Sequence, residues 1–363
     1  METSFPSEIV VPGVFVRVQA ENLITAGGVS SGNIGIAGTA AAASGVTNPL
    51  NQTHILSSIA DARQLYALSD AASAGTLNLM RSIEILFRAG ARTVFAHAIP
   101  ASSNQQAFTD AFDELAKDDV NILLAPELAT TTAAAVLGLV DTQETNGKDM
   151  IAVIGCDQTE LSAITDQVVA NKRFIMTTPG IQVFDAAEGT NGAVVTLNGT
   201  YSAAAVAGLI SSLAVQNSPT NKVIPGVTKL AARYSYGQTV TLLNNNVLPL
   251  EERNGVRVVR GITTEGAAFK QITTRRIVDY AKAGVRQVSR PFIGRLNNER
   301  IRKSLQGAID GFLSNMVVNE SLISYDLEVK ASRQDEIAGR CVVNVAMQPV
   351  FSIDYIHVTL VLS

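Results

Sequence analysis

The chain has no tryptophan, only two cysteines and three histidines, and aromatic residues fill 5% of its 363 positions. Each scarcity excludes something. With so few aromatics there is little from which to build a stacking platform for bases or sugars. Cys156 and Cys341 are far apart in apolar, strand-like contexts, which suits buried thiols better than a disulfide framework. His54, His97 and His357 show no metal-ligand spacing with each other or with the cysteines, so no metal and no cofactor is expected. No apolar run approaches the roughly 20 residues that a bilayer span needs. The opening METSFPSEIVVPG lacks a basic stretch followed by an apolar core, so no secretory signal is expected and the chain is read as folding in a cytoplasm. Phosphate-cradling loops are missing too: there is no G-x-x-x-x-G-K-[ST], and Gly32, Gly35 and Gly38, three apart, do not fit G-x-G-x-x-G.

What is present is ample apolar material, 47% of the residues, in a length that suits two or three domains. Charge is unevenly spread. Lys270, Arg275, Arg276, Lys282, Arg286, Arg290, Arg295, Arg300, Arg302 and Lys303 face only Asp279 and Glu299 in the same stretch. That is +8 in a chain of net charge −4, which leaves −12 elsewhere. Such a stripe marks either a charged partner or a solvated helix face. Nucleic acid is disfavoured, since no recognised nucleic-acid motif accompanies the stripe and the chain as a whole is acidic.

From residue 33 to 177 the pattern alternates. Strands are expected at 33–39, 93–99, 121–125, 150–154 and 173–177, and helices at 59–66, 77–90, 106–117, over an Ala-rich stretch after Pro126, and up to Lys172. Short, continuously apolar strands alternating with helices imply an α/β domain with a mainly parallel sheet covered on both faces. A helix over 202–215, a Pro/Asn-rich link at 218–226 and strands near 240–243 and 256–260 follow, and a domain boundary is placed near Ala231.

The strongest helix of the chain has Ile301, Leu305, Ala308, Ile309, Phe312, Leu313 and Met316 on one face, with Asn297 or Asn298 as N-cap. Arg300, Arg302 and Lys303 sit in its first turns, where cations oppose the helix dipole. In the helix before it, Arg275, Asp279, Lys282 and Arg286 recur as one stripe opposite Ile277, Ala281 and Val285, which reads as the solvent side. Both ends of the chain read as strands: 8–19, broken by Pro12-Gly13, and 354–363, alternating Ile356, Val358, Leu360 and Leu362 with Tyr355, His357, Thr359 and Val361. They pair either within the molecule or with a neighbour's sheet edge.

One segment imitates a catalytic site. NGTYSAAAVAG, 198–208, is like the nucleophile region of subtilisin-like proteases, where Asn-Gly-Thr-Ser opens a helix. Tyr201 stands where that serine would be, and Ser202 is one residue late, about 100° around the helix. The three histidines lie in a loop and two strands, more structural than catalytic, so no catalytic residue is expected.

The segments PGVFV (12–16), IGIAGTA (34–40), SPTNKVIPGV (218–227), NGVRVVRGITT (254–264) and RPFIGRLNNERIRKSLQGAIDGFL (290–313) together resemble the contractile-tail sheath proteins of phage tails, R-type pyocins and extracellular contractile injection systems. The resemblance runs along nearly the whole chain. It implies a subtilisin-like α/β sandwich without protease chemistry over 23–230, a tube-facing α+β domain over 231–347, and strand arms at 1–22 and 348–363. It further implies a structural subunit, not an enzyme, that polymerises as stacked hexameric rings around an inner tube and contracts to drive that tube through a cell envelope. The implied partners are other copies, the inner tube protein, and baseplate and terminator or cap proteins, with neither nucleic acid nor membrane insertion. Assembly in a bacterial cytoplasm and release as a virion tail or injection particle follow from the same likeness. Val10, Val14, Val16, Val18, Ile356, Val358, Leu360 and Leu362 match the inter-subunit arms, and Arg275, Lys282, Arg286, Arg300, Arg302 and Lys303 the tube-facing surface. Two rivals stay open: a subtilisin-like hydrolase, and a non-contractile assembly such as a surface layer.

Overall fold

The computed structural model describes residues 29–361. The expected N-terminal strand with Val10, Val14, Val16 and Val18 lies outside the described residues, as does Leu362. The chain begins with β1 (Ile34–Thr39), β2 (Thr53–Leu56), α1 (Ile59–Leu65), α2 (Leu79–Arg88), β3 (Val94–Ile99), α3 (Gln105–Leu115) and β4 (Ile122–Leu124). It continues through α4 (Thr130–Leu137), α5 (Leu139–Thr145), β5 (Ile151–Gly155), α6 (Leu161–Asp166) and β6 (Phe174–Thr178). Apart from β2, an edge strand that holds His54 where a loop is expected, these match the alternation read from the sequence. Every residue of β1, β3, β4, β5 and β6 is buried, as in strands with helices on both sides.

Next come β7 (Ile181–Asp185), β8 (Ala193–Leu197), α7 (Ser202–Ser212), β9 (Val227–Leu230), α8 (Tyr236–Asn244), β10 (Leu248–Glu252) and β11 (Val256–Val258). The large sheet has the order β11-β10-β6-β5-β4-β1-β3-β2. Its pairings are parallel except for β2 and β11, which run antiparallel at the two edges. One apolar cluster fills the side covered by α2 and α7, the other the side covered by α3 and α4. On α7 the run of small residues lets two helices come close. A Cβ on Gly208 would stand 2.6 Å from the Leu86 carbonyl oxygen of α2. Strands β8-β7-β9 form a separate three-stranded sheet.

Two expectations need correction here. The stretch 240–243, read as a strand, lies in α8, because Ser235 and Gln238 make a capping box that starts a helix through the β-branched residues. The large sheet also does not stop near Ala231, since β10 and β11 extend it by two strands. The Pro/Asn-rich link is a surface excursion inside one layer, and the architecture changes only at α9.

The last third consists of α9 (Ile272–Ser289), α10 (Glu299–Val318), β12 (Leu322–Lys330), α11 (Arg333–Ile337) and β13 (Val342–Pro349). Asn298 caps α10 by accepting from the Ile301 amide at 3.0 Å, and Leu305, Ile309, Phe312, Leu313 and Met316 are buried as the periodicity predicts. They meet Ile277, Ala281 and Val288 of α9. Gly284 makes this crossing tight, because a Cβ there would overlap the Phe312 ring, 1.8 Å from its Cζ. Among the described residues strands β12 and β13 pair only with each other; they lay Tyr325, Leu327 and Val329 toward α10 and leave Ser324, Asp326 and Glu328 exposed. Among the described residues no helix is long and apolar enough to cross a membrane.

Candidate functional site

The protease-like segment holds no accessible nucleophile. Ser202 is fully buried at the start of α7, and its hydroxyl donates to the Gly199 carbonyl at 2.6 Å. The Tyr201 hydroxyl donates to Asn78 Oδ1 at 2.8 Å, and burial pushes its pKa up to about 12. Asn78 in turn donates to Glu127 Oε2 at 3.0 Å, and Thr39 Oγ1 donates to the same carboxylate oxygen at 2.6 Å. Arg81, paired with Asp185, donates to Asn78 Oδ1 at 2.9 Å. A closed polar chain thus joins the ends of β1 and β4 to the starts of α2 and α7. It is a satisfied network of buried groups. His97 is buried on β3 with Nδ1 3.1 Å from Thr53 Oγ1, and His357 is exposed. No group of His, Cys, Asp or Glu among the described residues could hold a metal ion.

The basic helices are the second candidate, and here the structure separates residues that the sequence grouped. The stripe on α9 keeps its predicted periodicity but is turned toward acids of the large domain, with Arg275 buried and Lys282 and Arg286 partly exposed. Arg275 is buried, in contact with Asp279 and with its guanidinium 4.2 Å from the Phe269 ring centre. Lys282 reaches Glu144 Oε1 at 3.0 Å and Asp149, and Arg286 reaches Asp149. Behind them Arg173, 0% exposed, donates to Glu144 at 3.0 Å, Asp149 at 2.9 Å, Asp279 at 3.0 Å and the Met150 carbonyl at 2.8 Å. The Arg173 hydrogen bond, with Lys172 and Lys282 adding to it, holds Glu144 far below the usual carboxylate range. Burial works to raise the Asp149 pKa, but Lys282 and Arg286 bring it down. Burial pushes Asp279 up against the pull of Arg275 and Arg173. Three acids and four cations therefore weld α9 to the end of α5 and the starts of β5 and β6. Sequence reasoning missed this weld because its partners lie up to 138 residues apart, and no local spacing announces them.

Arg300, Arg302 and Lys303 are placed differently. Arg300 and Lys303 are exposed on the first turn of α10, Lys303 paired only with its neighbour Glu299, whereas Arg302 is bridged to Glu336 at 3.0 Å. The turn before them shows Arg290, Ile293, Arg295 and Leu296 to solvent.

The third candidate is the C-terminal segment. Read as a strand, 354–361 forms no ladder in the single chain. Ile356, Val358 and Leu360 are 82%, 74% and 86% exposed. An alternating pattern can specify a strand, but a strand needs a partner, and none of the described residues supplies one.

Comparison with known proteins names this arrangement. Residues 101–264 match the family model of the phage tail sheath protein central domain, and residues 264–363 that of the phage tail sheath C-terminal domain. No curated protein matches the chain. Among solved structures, the anti-feeding prophage baseplate, 6-fold symmetrised, is similar with TM-score 0.76 at 15% identity, over 98% of this chain and 100% of that one. The helical sheath of the same prophage in its contracted state gives 0.74 at 16% identity, over 98% and 99%. The contracted sheath complex of the extracellular contractile injection system PVC gives 0.72 at 14%, over 98% of each chain. At these identities the likeness is one of fold. With both sheath domains matched in order from 101 to 363, the chain belongs to the phage tail sheath protein family.

Proposed function

We propose that this protein is the repeating subunit of a contractile sheath, stacking as hexameric rings around an inner tube and shortening to drive the tube through a cell envelope. The observation that carries the reading is the unpaired, alternately apolar segment after β13. Exposed at three aliphatic positions, it has the pattern of a strand completed by another copy. The β12–β13 hairpin, a two-stranded sheet whose outer edges are unpaired among the described residues, offers such a strand a ladder to join. The central layer is read as a subtilisin-like sandwich that keeps the scaffold without the chemistry, as the Tyr201 network supports.

The tube-facing role is narrowed. Arg275, Lys282 and Arg286 are committed to the weld, so the exposed turn and helix start carrying Arg290, Arg295, Arg300 and Lys303 are the cations left to meet an acidic tube. Exposed ion pairs contribute about 0 to 1 kcal/mol each and are screened by salt, so such a contact holds an extended array and still releases. Shared ladders keep copies connected while the difference between two packings drives shortening.

The test is assembly with the tube protein, viewed by negative-stain microscopy. Wild type forms striated cylinders on tubes. A variant with Ile356→Asp, Val358→Asp and Leu360→Asp stays a folded monomer and leaves tubes bare. Normal cylinders from that variant would remove the C-terminal segment from the interface.

A further inference from the structure

Both ends of the described chain are fastened to the start of one helix. Arg276, in the second turn of α9, is buried and makes no ion pair among the described residues; its guanidinium donates to the carbonyls of Leu213 at 2.9 Å, Ala214 at 3.3 Å and Ser31 at 3.1 Å. Leu213 and Ala214 follow the last turn of α7, where carbonyls lack helical partners and a positive charge is favourable. Ser31 belongs to the stretch by which the chain enters the body, and there Ser30 Oγ and the Asn33 amide both donate to Asn121 Oδ1, at 2.8 and 3.0 Å.

Five residues earlier, Gln271 stands at the N-cap of α9. Its side-chain amide grips the main chain of Ser352 as an adjoining strand would, accepting from the Ser352 amide at 3.0 Å and donating to its carbonyl at 3.2 Å. Asp354 accepts from Gln271 Nε2 at 3.1 Å and from Arg260 Nε at 2.8 Å, and the Arg260 guanidinium lies 5.1 Å from the Tyr355 ring centre. From Ile356 to Val361 every residue is exposed. With a rise of about 1.5 Å per residue, the two fastenings are about 7.5 Å apart along the helix.

We propose that the start of α9 is a common anchor for the two segments shared with other copies, with Arg276 positioning the entering chain at Ser31, and Gln271 with Arg260 positioning the leaving chain at Ser352 and Asp354. A pull from a neighbouring copy on either segment is then taken up by one helix, which the Arg173 weld ties to the large sheet. The inference rests on the proposed sheath function, in which the segments join other copies.

The experiment compares wild type with Asp354→Ala, Gln271→Ala, Asp354→Glu and Arg276→Lys, each made with the tube protein and also as isolated monomer. Asp354→Ala and Gln271→Ala are expected to melt within about 3 °C of wild type, because the ties lie at the edge of the fold. The fraction of tubes carrying sheath is expected to fall about ten-fold, the effect of one lost charge-assisted hydrogen bond on an equilibrium constant. Asp354→Glu, which keeps a carboxylate for Arg260, restores sheathing. Arg276→Lys, which keeps the charge but not the fork that reaches three carbonyls, lies between. Wild-type sheathing by Asp354→Ala and Gln271→Ala overturns the anchor alone. So does a monomer melting drop large enough to explain lost assembly by itself. Bare tubes with the wild-type protein overturn the sheath function and the anchor together.

Discussion

Two basic stretches lie end to end in this chain and meet opposite fates. On α9, Arg275, Lys282 and Arg286 point inward and are matched by Asp279, Glu144 and Asp149. A dozen residues on, Arg295, Arg300 and Lys303 point outward, and among the described residues only Lys303 of these has an acid, itself exposed. Both are rich in arginine and lysine; what differs is what the fold brings opposite. A positive run identifies a surface only after the acids elsewhere have been placed.

That contrast can be broken most strongly from the acidic side. Asp149→Ala removes a nearly inaccessible carboxylate that holds Arg173, Lys282 and Arg286 together. The expected loss of unfolding free energy in denaturant titration is about 3 kcal/mol, the low end for a broken buried pair because Lys282 and Arg286 keep some water. A result near zero would mean that α9 is held by its apolar face alone.

Acid sharpens the same contrast. Glu144 and Asp149 have pKa values lowered in the folded chain, so their stabilisation is complete above the unfolded carboxylate value of about 4 and is lost as pH falls through the folded values. Asp279, raised by burial, acts in the opposite sense at higher pH, so the slope is to be read below pH 4. Unfolding monitored from pH 4 to pH 2 should show falling stability, and Glu144→Gln should flatten that slope. An unchanged slope in the variant would take Glu144 out of the weld.

The smallest effect on stability belongs to the outward stretch. Arg300→Glu with Lys303→Glu should change unfolding free energy by no more than about 0.5 kcal/mol while reducing co-sedimentation with tubes. Tube binding at the wild-type level would put the tube surface elsewhere. The same reversal at Arg275, Lys282 and Arg286 should instead prevent folding.

Apart from the four-residue edge strand β2, the order of elements through β6 was legible because each is short, apolar in the right period and bounded by caps or breakers. The packing of α10 was legible for the same reason. The weld was not, since Glu144 and Asp149 sit in unremarked polar stretches and meet α9 only through the tertiary fold. Segment 240–243 misled because Val and Thr favour strands locally, while Ser235 and Gln238 impose a helix. Tyr201 was recognisable as out of place for catalysis, but its hydrogen bond to Asn78, 123 residues away, was invisible. The C-terminal segment shows the converse: its pattern is plain, and no described residue pairs with it.

In the sheath proposed above, a hairpin whose outer edges no described residue pairs and a strand that no described residue matches would give each copy something to donate and something to receive. Contacts of that kind are heterologous, so addition is directional and the polymer has polarity. One terminus always displays vacant acceptors and the other spare strands, and stopping growth at each calls for a plug of different chemistry.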